Sequence, residues 1–427
     1  MDKDIKRFGE QNLHIICTDD VGIIYDVPTN SIFRVSSIVA ERLLFLQKNS
    51  ESDLEAIMKQ KLGKKQITIP THKIWWETKS IVKLTLNITS RCNLRCKYCY
   101  AGFGIYSGYS LSDMAPTDAI KYIDSLVNIG VSHIGCVQFF GGEPLLAIKT
   151  VDAVCKHFFR LYEEAKIDSI PQFKMITNLV LGNSYIYDVI LKYNIQLTVS
   201  VDGSKDIHDM QRVFQDESGS YDLVEQNAMV LREKIIAIEA TYTLNHVKKN
   251  ISVEQLRRRL ANQFSLPESS ILIIPVAGVP ELEVPRESEL LKVKEDILTT
   301  EDGNVLVAYY PEKQSDLFCS AGFNSLCIMP NGDMYPCHMY AVDRTCCLGN
   351  ILDSYDFFKV KEKLNNLPLG SKESNIECKL CWARKICHIC PAKLLISNEV
   401  VKSPISEYNC DKRKSHYELV IIQSVSH

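Results

Sequence analysis

Three short apolar runs, LHIIC (13–17), VGIIYDV (21–27) and SIFRVS (31–36), are separated by the polar turn segments TDD and PTN. Short runs bounded by turn residues predict strands. An apolar-periodic stretch, SSIVAERLLFLQ, follows with Ser36 or Ser37 as its N-cap, and a second helical run, SDLEAIMKQKLG, closes at Gly63. Three strands followed by helices over residues 1–80 predict a small winged-helix-like module. From Ile81 the pattern becomes strand and helix in alternation. Strands are expected at 81–89, 133–142, 173–179, 195–203, 236–244 and 271–277, and helices at 116–130, 148–165, 185–194, 221–234 and 253–264. Such alternation implies parallel strands joined by crossover helices. The expected fold class is therefore α/β, with a partial (β/α)6 barrel over residues 81–277. A closed barrel of this kind needs eight strands, so six leave a lateral opening for a large substrate. Residues 278–318 are charged and turn-rich, a connector with a helix through SELLKVKEDIL, and residues 319–427 form a cysteine-rich end domain.

Composition narrows the function classes. A chain that is 46% hydrophobic and 24% charged reads as a globular enzyme. Its 49 basic and 52 acidic residues nearly cancel, which speaks against a nucleic-acid partner. The opening MDKDIKRFGEQN is not a signal segment and no stretch is long and apolar enough for a bilayer, so a cytoplasmic location without a membrane partner is expected. Sixteen cysteines in such a chain point to metal or catalytic use, because a reducing compartment disfavours disulfides. Cys17, Cys136, Cys155, Cys346 and Cys347 fall in no motif and are expected to be small buried hydrophobes.

In RCNLRCKYCY, Cys92, Cys96 and Cys99 are spaced Cys-x3-Cys-x2-Cys directly behind the first barrel strand, with the aromatic Tyr98 before the last. Zinc sites favour paired Cys-x2-Cys units and four closed ligands, and thioredoxin-like redox pairs need two cysteines. Three thiolates instead supply an iron–sulfur cluster that normally needs four, leaving one iron open for chemistry. This segment resembles the signature of the radical S-adenosylmethionine superfamily. The resemblance implies an enzyme in which the open iron of a [4Fe–4S] cluster chelates S-adenosylmethionine and an electron splits it to a 5′-deoxyadenosyl radical. Cys92, Cys96 and Cys99 would be its catalytic cysteines, with Tyr98 beside the cofactor.

In parallel α/β folds ligands sit at the carboxyl ends of strands. The second barrel strand ends in Gly141, Gly142, Glu143 and Pro144. Two glycines let backbone approach a ligand, and a carboxylate accepts hydrogen bonds from an ammonium. GGEP resembles the family's GGE motif, whose glutamate contacts the methionyl amino group. Thr177, Asn178, Ser200 and Asp202 end the next two strands, on the same rim. Further on, HDMQR contains Arg212, whose planar fork suits a carboxylate. By the resemblance Asn178, Ser200, Asp202 and Arg212 contact the cofactor. His208 and Asp209 read instead as helix-capping or surface residues.

The last third carries Cys319-x12-Gly332-x4-Cys337, then Cys378-x2-Cys381-x5-Cys387-x2-Cys390, then Cys410, while IMPNGDMYPC reads as a hairpin that delivers Cys337. Zinc-ribbon-like pairs are the sober alternative. The arrangement resembles the SPASM extension of radical S-adenosylmethionine enzymes, which implies two auxiliary [4Fe–4S] clusters and three in all. By that resemblance Cys319, Cys327, Cys337 and Cys390 bind the first and Cys378, Cys381, Cys387 and Cys410 the second. Two features depart from the family pattern: the last spacing is x2 where x3 is usual, and Cys327 sits outside the core motif. If Cys327 points into a core, the first auxiliary cluster has three protein ligands and an open place. Cys346 and Cys347 compete for that role, and His338 is either a proton acceptor or a strand surface residue.

The N-terminal module looks like the peptide-recognition domain of enzymes that mature ribosomally made peptides, where a leader adds as a strand to a sheet edge. A winged-helix DNA binder is disfavoured because SSIVAERLLFLQKN lacks a basic recognition face. As a whole the chain resembles peptide maturases that form Cys-derived thioether cross-links, the sactisynthase type. That resemblance implies a precursor peptide held by its leader and an electron donor such as flavodoxin or ferredoxin. Carbon–carbon cross-linking, epimerisation and formylglycine formation on a sulfatase share the same parts. A zinc-binding adaptor explains the C-terminal cysteines but leaves Cys92, Cys96, Cys99 and Glu143 without a purpose.

Overall fold

The structure is a computed structural model and describes residues 13–49 except 20 and 28–30, 74–276 except 107–109, 279–284, 319, 321–353, 357–366, 372, 376–387, 410, 414, 415, 417, 418, 421 and 422. The expected helices at SDLEAIMKQKLG and SELLKVKEDIL, and Cys390, lie outside these residues.

Strands β1 (Leu13–Cys17), β2 (Gly22–Asp26) and β3 (Ser31–Val35) form an antiparallel sheet in that order, followed by α1 (Ser37–Asn49). Alternation sends Leu13, Ile15 and Ile24 to one face, where they meet Ala40 and Leu43 of α1. A Cβ on Gly22 would come within 2.4 Å of the Ala40 Cβ, so glycine permits this close seating of α1. Ile16, Ile23, Tyr25 and Val27 point to the other face and pack on Trp382, Ile386, Tyr417 and Ile421 from the far end of the chain. The N-terminal sheet thus lies between its own helix and the C-terminal segment.

After the short helix α2 (Trp75–Thr78), six strands run in parallel: β4 (Ser80–Thr89), β5 (His133–Gly141), β6 (Gln172–Thr177), β7 (Gln196–Ser200), β8 (Ile235–Tyr242) and β9 (Ile271–Pro275). Between them lie α3 (Pro116–Asn128), α4 (Ile148–Glu163), α5 (Ser184–Lys192), α6 (Lys205–Gln211), α7 (Tyr221–Val230), α8 (Leu244–Lys248) and α9 (Val253–Phe264). Outward-facing Leu84, Leu86, Phe139, Met175 and Leu197 share one core with apolar faces of the helices. Each such buried side chain contributes roughly 1.5–3 kcal/mol. Helix α9 starts where its sequence says it should: Ser252 and Gln255 cap each other's backbone N–H groups.

The sheet does not stop at six strands. β10 (Ser325–Ile328) joins parallel to β4, and the hairpin partner β11 (Asp333–Tyr335) and β12 (Gly349–Asn350) continue outward, giving nine. The hairpin expected at IMPNGDMYPC turns at Asn331 and Gly332, whose φ of +89° suits glycine. Its register sets Cys327 opposite Thr85 of β4. Cys327 is therefore built into the barrel sheet, and its strand covers the edge that β4 would otherwise expose. No pairing closes β9 onto β12 among the described residues, so the sheet stays open. None of the described helices is long and apolar enough to cross a membrane. Of the cysteines outside motifs, Cys155 and Cys346 are buried as expected, whereas Cys17, Cys136 and Cys347 are only half-buried.

Candidate active site

The loop after β4 carries Cys92, Cys96 and Cys99 and is pinned along its whole length. Thr89 donates through Oγ1 to Asp113 Oδ1 at 2.6 Å, and Arg91 pairs with the other oxygen of Asp113. Gly142 N donates to Thr89 O at 2.9 Å and Glu143 N to Arg91 O at 2.8 Å, which staples the glycine turn to the root of the loop. On the opposite side Arg95 N donates to Val213 O at 2.7 Å and Lys97 N to Gln211 O at 2.9 Å, so residues 211–213 act as a rail. Glycine is required where these backbones cross. A Cβ on Gly142 would sit 2.2 Å from Arg91 O, and one on Gly104 would sit 2.7 Å from Gly142 Cα.

The loop suits a cluster. Leu94 N points at Cys92 Sγ (3.5 Å) and Phe103 N at Cys99 Sγ (3.2 Å), which is how backbone amides stabilise sulfur-borne negative charge. Asn178 Nδ2 lies 3.9 Å from Cys92 Sγ, and the buried Asn93 Nδ2 has no protein partner. Burial, reinforced by Glu143, raises the Cys92 thiol to about 12, and burial raises Cys96 to about 11 against the pull of Arg212. Thiols this basic surrender their protons to a metal and not to water. Among the described residues no three His, Cys, Asp or Glu side chains converge as ligands of a single ion. A four-iron cluster differs in giving each thiolate its own iron, so its sulfurs stand apart.

Glu143 lies fully buried behind the loop. Its Oε1 accepts from Thr177 Oγ1 (2.6 Å) and Leu145 N (3.0 Å), and Oε2 accepts from Asn178 N (2.7 Å). Burial still outweighs these bonds and lifts its carboxyl to about 7. Three of roughly four lone-pair positions are filled, which leaves Oε2 with room for one cationic donor. Asn178 holds the side of the loop through Nδ2 to Asn93 Oδ1 at 2.9 Å. Ser200 is half-buried at the end of β7, opposite Glu239.

Asp202 differs from the rim contact expected of it. Its carboxylate is wholly buried and committed: Oδ1 accepts from Thr241 N (2.9 Å), while Oδ2 accepts from the Tyr98 hydroxyl and from Gln211 Nε2 (3.1 Å). Arg212 Nε stands 3.1 Å from the same Oδ2 as an ion pair, out of line for a hydrogen bond, and its guanidinium carbon lies 5.4 Å from the Tyr98 ring centre. The Asp202 carbonyl meets His246 Nε2 at 2.7 Å, and Gln211 also accepts from Thr243 Oγ1. Arg212 thus turns its Nε to an internal carboxylate, and Tyr98 ties the cysteine loop to the ends of β7 and β8. Sequence reasoning missed Gln211 and His246. Gln211 stood beside Arg212 in HDMQR, and His246 stood at the third position of a helix that opens on Thr243.

His208 corrects the surface reading. It is fully buried, its Nδ1 accepts from Asp202 N at 3.4 Å, and its Nε2 meets Ser220 Oγ at 3.0 Å. Asp209 does cap a helix, accepting from Tyr221 N at 2.9 Å at the start of α7. Burial lowers His208 to about 4. The unfolded chain binds a proton near pH 6.5 and the folded chain does not, so stability falls as pH drops from 6.5 toward 4, by about 1.4 kcal/mol per unit at most. Denaturant unfolding of wild type and His208→Gln across this window is expected to show the steeper fall in wild type; equal slopes would reject a buried neutral His208.

The C-terminal cysteines form two groups. Cys327 is fully buried in an apolar cluster with Tyr335 and Tyr340 that also touches Cys99, Cys337 and Cys347. Cys337 is within electrostatic reach of Cys327. Cys319 is half-buried. His338 begins a 3-10 turn, His338–Val342, and is not on a strand; its ring lies 4.4 Å from Phe140, and its Nδ1 is shielded without a protein partner. Elsewhere Cys378 lies within electrostatic reach of Cys381, Cys387 and Cys410. Burial raises Cys378 to about 12 and Cys410 to about 11, as in the cysteine loop.

Residues 86–259 match the model of the radical SAM superfamily. The chain is an enzyme similar over this segment to members of that superfamily, which implies one [4Fe–4S] cluster with S-adenosylmethionine. It is similar to the radical SAM cyclopropyl synthase TigE of Paramaledivibacter caminithermalis, at 30% identity over 36% of this chain and 33% of that one. It is also similar to the cysteine-type anaerobic sulfatase-maturating enzyme of Clostridium novyi, at 23% identity over 72% of this chain and 87% of that one. In fold it resembles native anSMEcpe with bound AdoMet and Kp18Cys peptide, with a TM-score of 0.62 and 20% identity over 81% of this chain and 98% of that one.

Proposed function

We propose that this enzyme modifies a ribosomally made precursor peptide, joining a peptide cysteine sulfur to an acceptor carbon as a thioether. When bound, the cluster and S-adenosylmethionine supply a 5′-deoxyadenosyl radical, with an external donor such as flavodoxin or ferredoxin providing the electron. Cys92, Cys96 and Cys99 hold that cluster. Gly141 and Gly142 admit the cofactor to the backbone, and Glu143 Oε2 receives its amino group. Asn178 and Ser200 line the same rim. Tyr98, Asp202 and Arg212 fix the loop and its charge. Cys319, Cys327, Cys337 and Cys390 form one auxiliary set and Cys378, Cys381, Cys387 and Cys410 the other.

The observation that carries the peptide reading is the N-terminal sheet. Among the described residues β3 is paired on one side only, and α1, which follows it and packs over β1 and β2, exposes Ile38 and Phe45 seven positions apart on one face. An extended leader gains main-chain hydrogen bonds on such an edge. The peptide in the anSMEcpe complex adds support for a peptide substrate. Similarity to the sulfatase-maturating enzyme favours formylglycine formation as a second reading. Anaerobic co-expression with a cysteine-containing precursor, followed by mass spectrometry, separates the two. The expected product has lost two hydrogens per event, with the affected cysteine closed to alkylation. A cysteine whose sulfur is gone, with an aldehyde in its place, would mark formylglycine, and loss of two hydrogens with every cysteine free would likewise reject the thioether.

A further inference from the structure

The N-terminal sheet and the second auxiliary cysteine set are packed as one body. Trp382 directly follows Cys381, and the His14 ring of β1 stacks on it at 3.7 Å with 3° between planes, while Tyr25 of β2 meets it edge-on at 6.1 Å. His14 Nε2 lies 2.8 Å from Glu418 Oε1. Around this stack Ile16, Ile23, Tyr25 and Val27 join Trp382, Ala383, Ile386, Tyr417 and Ile421 in one apolar cluster, and Cys381 and Cys387 pack against it. Residues 410, 414, 417, 418 and 421 are helical, and Cys410 lies within electrostatic reach of Cys378. Lys414 lies within electrostatic reach of His14, Cys381 and Cys410. Two cysteines of this set, Cys381 and Cys387, are thus backed by the cluster that β1 and β2 help to build.

We propose that the N-terminal sheet is a wall of the second auxiliary site, with His14 and Tyr25 as positioning residues that hold Trp382, and through it Cys381, in place. This rests on the reading of Cys378, Cys381, Cys387 and Cys410 as a cluster set. Surrounding hydrophobic groups control solvent access to a metal centre and so its lability. A module assigned to peptide capture then has a second task, the retention of a cluster. The peptide edge at β3 and the wall formed by β1 and β2 belong to one three-stranded sheet, so the two tasks use different strands.

The test is iron content, cluster absorbance on exposure to air, and cofactor cleavage with added reductant, on anaerobically prepared full-length protein. His14→Ala/Tyr25→Ala is expected to lose about four irons of about twelve, while cofactor cleavage stays within about twofold because the first cluster is untouched. His14→Phe, which keeps the stack, is expected to retain the iron and to bleach in air at a rate near wild type. Wild-type iron and air stability in His14→Ala/Tyr25→Ala would overturn the proposal, as would equal iron loss in His14→Phe and His14→Ala. Cys381→Ser/Cys410→Ser separates this inference from the reading beneath it. If that variant keeps all the iron of wild type, the second cluster itself is rejected; if it loses about four irons and the sheet variant loses none, only the wall is.

Discussion

Gly142→Ala is expected to strip the first cluster from the enzyme and with it cofactor cleavage. The new methyl group would meet backbone on both sides of the crossing, at 2.2 Å from Arg91 O, 2.5 Å from Arg91 C and 3.0 Å from Cys92 N. None of these is the end of a flexible side chain, so the loop root itself must move. Displacement of about 1 Å near reacting groups costs on the order of 100-fold in rate, and here the displaced atoms belong to the residue that bears the first sulfur. Iron analysis and 5′-deoxyadenosine formation measure the effect together. The contrast is Gly102→Ala, which has φ of +55° but nothing within 4 Å of its new Cβ. It carries only the left-handed backbone cost of about 1–2 kcal/mol and should keep its iron. Comparable loss in both variants would mean that backbone conformation, and not the crossing, limits the loop.

Asp202→Asn is expected to be the most destabilising near-isosteric change in the barrel. It leaves the buried Arg212 without its counter-charge and turns an amide toward a carboxylate position that receives hydrogen bonds from Tyr98, Gln211 and Thr241. Removing one member of a buried pair costs about 3–5 kcal/mol, which lowers the thermal midpoint on the order of 10 °C. Arg212→Met should cost a similar amount from the other side. The double variant Asp202→Leu/Arg212→Met should recover part of the loss, since an apolar pair leaves no lone charge behind. Additive losses in the double variant would show that the two residues are not coupled.

The parallel strands and their helices were legible because their signal is local: apolar spacing along each segment, and capping residues such as Ser252 with Gln255. The cysteine loop and the glycine turn were legible for the same reason, since their chemistry is written in consecutive residues. What escaped is long-range. Tyr98 meets Asp202 across 104 positions, and His246 meets the Asp202 carbonyl across 44. No pattern within a window joins such pairs, so a committed internal carboxylate looked like a free rim residue. A polar side chain is usually solvated, which favours a capping or surface place for His208, and two buried partners reverse that preference. The Asn-Gly hairpin was readable, but its docking beside β4, which merges the end domain with the barrel sheet, was not.

The pairing of His14 with Glu418 spans 404 positions and bears on how the protein is made. A ribosome adds roughly 5–20 residues per second, so strands β1 to β3 wait on the order of half a minute before Trp382, Tyr417 and Ile421 emerge to cover their second apolar face. During that interval a three-stranded sheet carries Ile16, Ile23, Tyr25 and Val27 bare, in a form open to chaperones or to a neighbouring nascent chain. These two distant segments therefore complete each other, and loss of Trp382, Tyr417 and Ile421 leaves one face of the sheet bare.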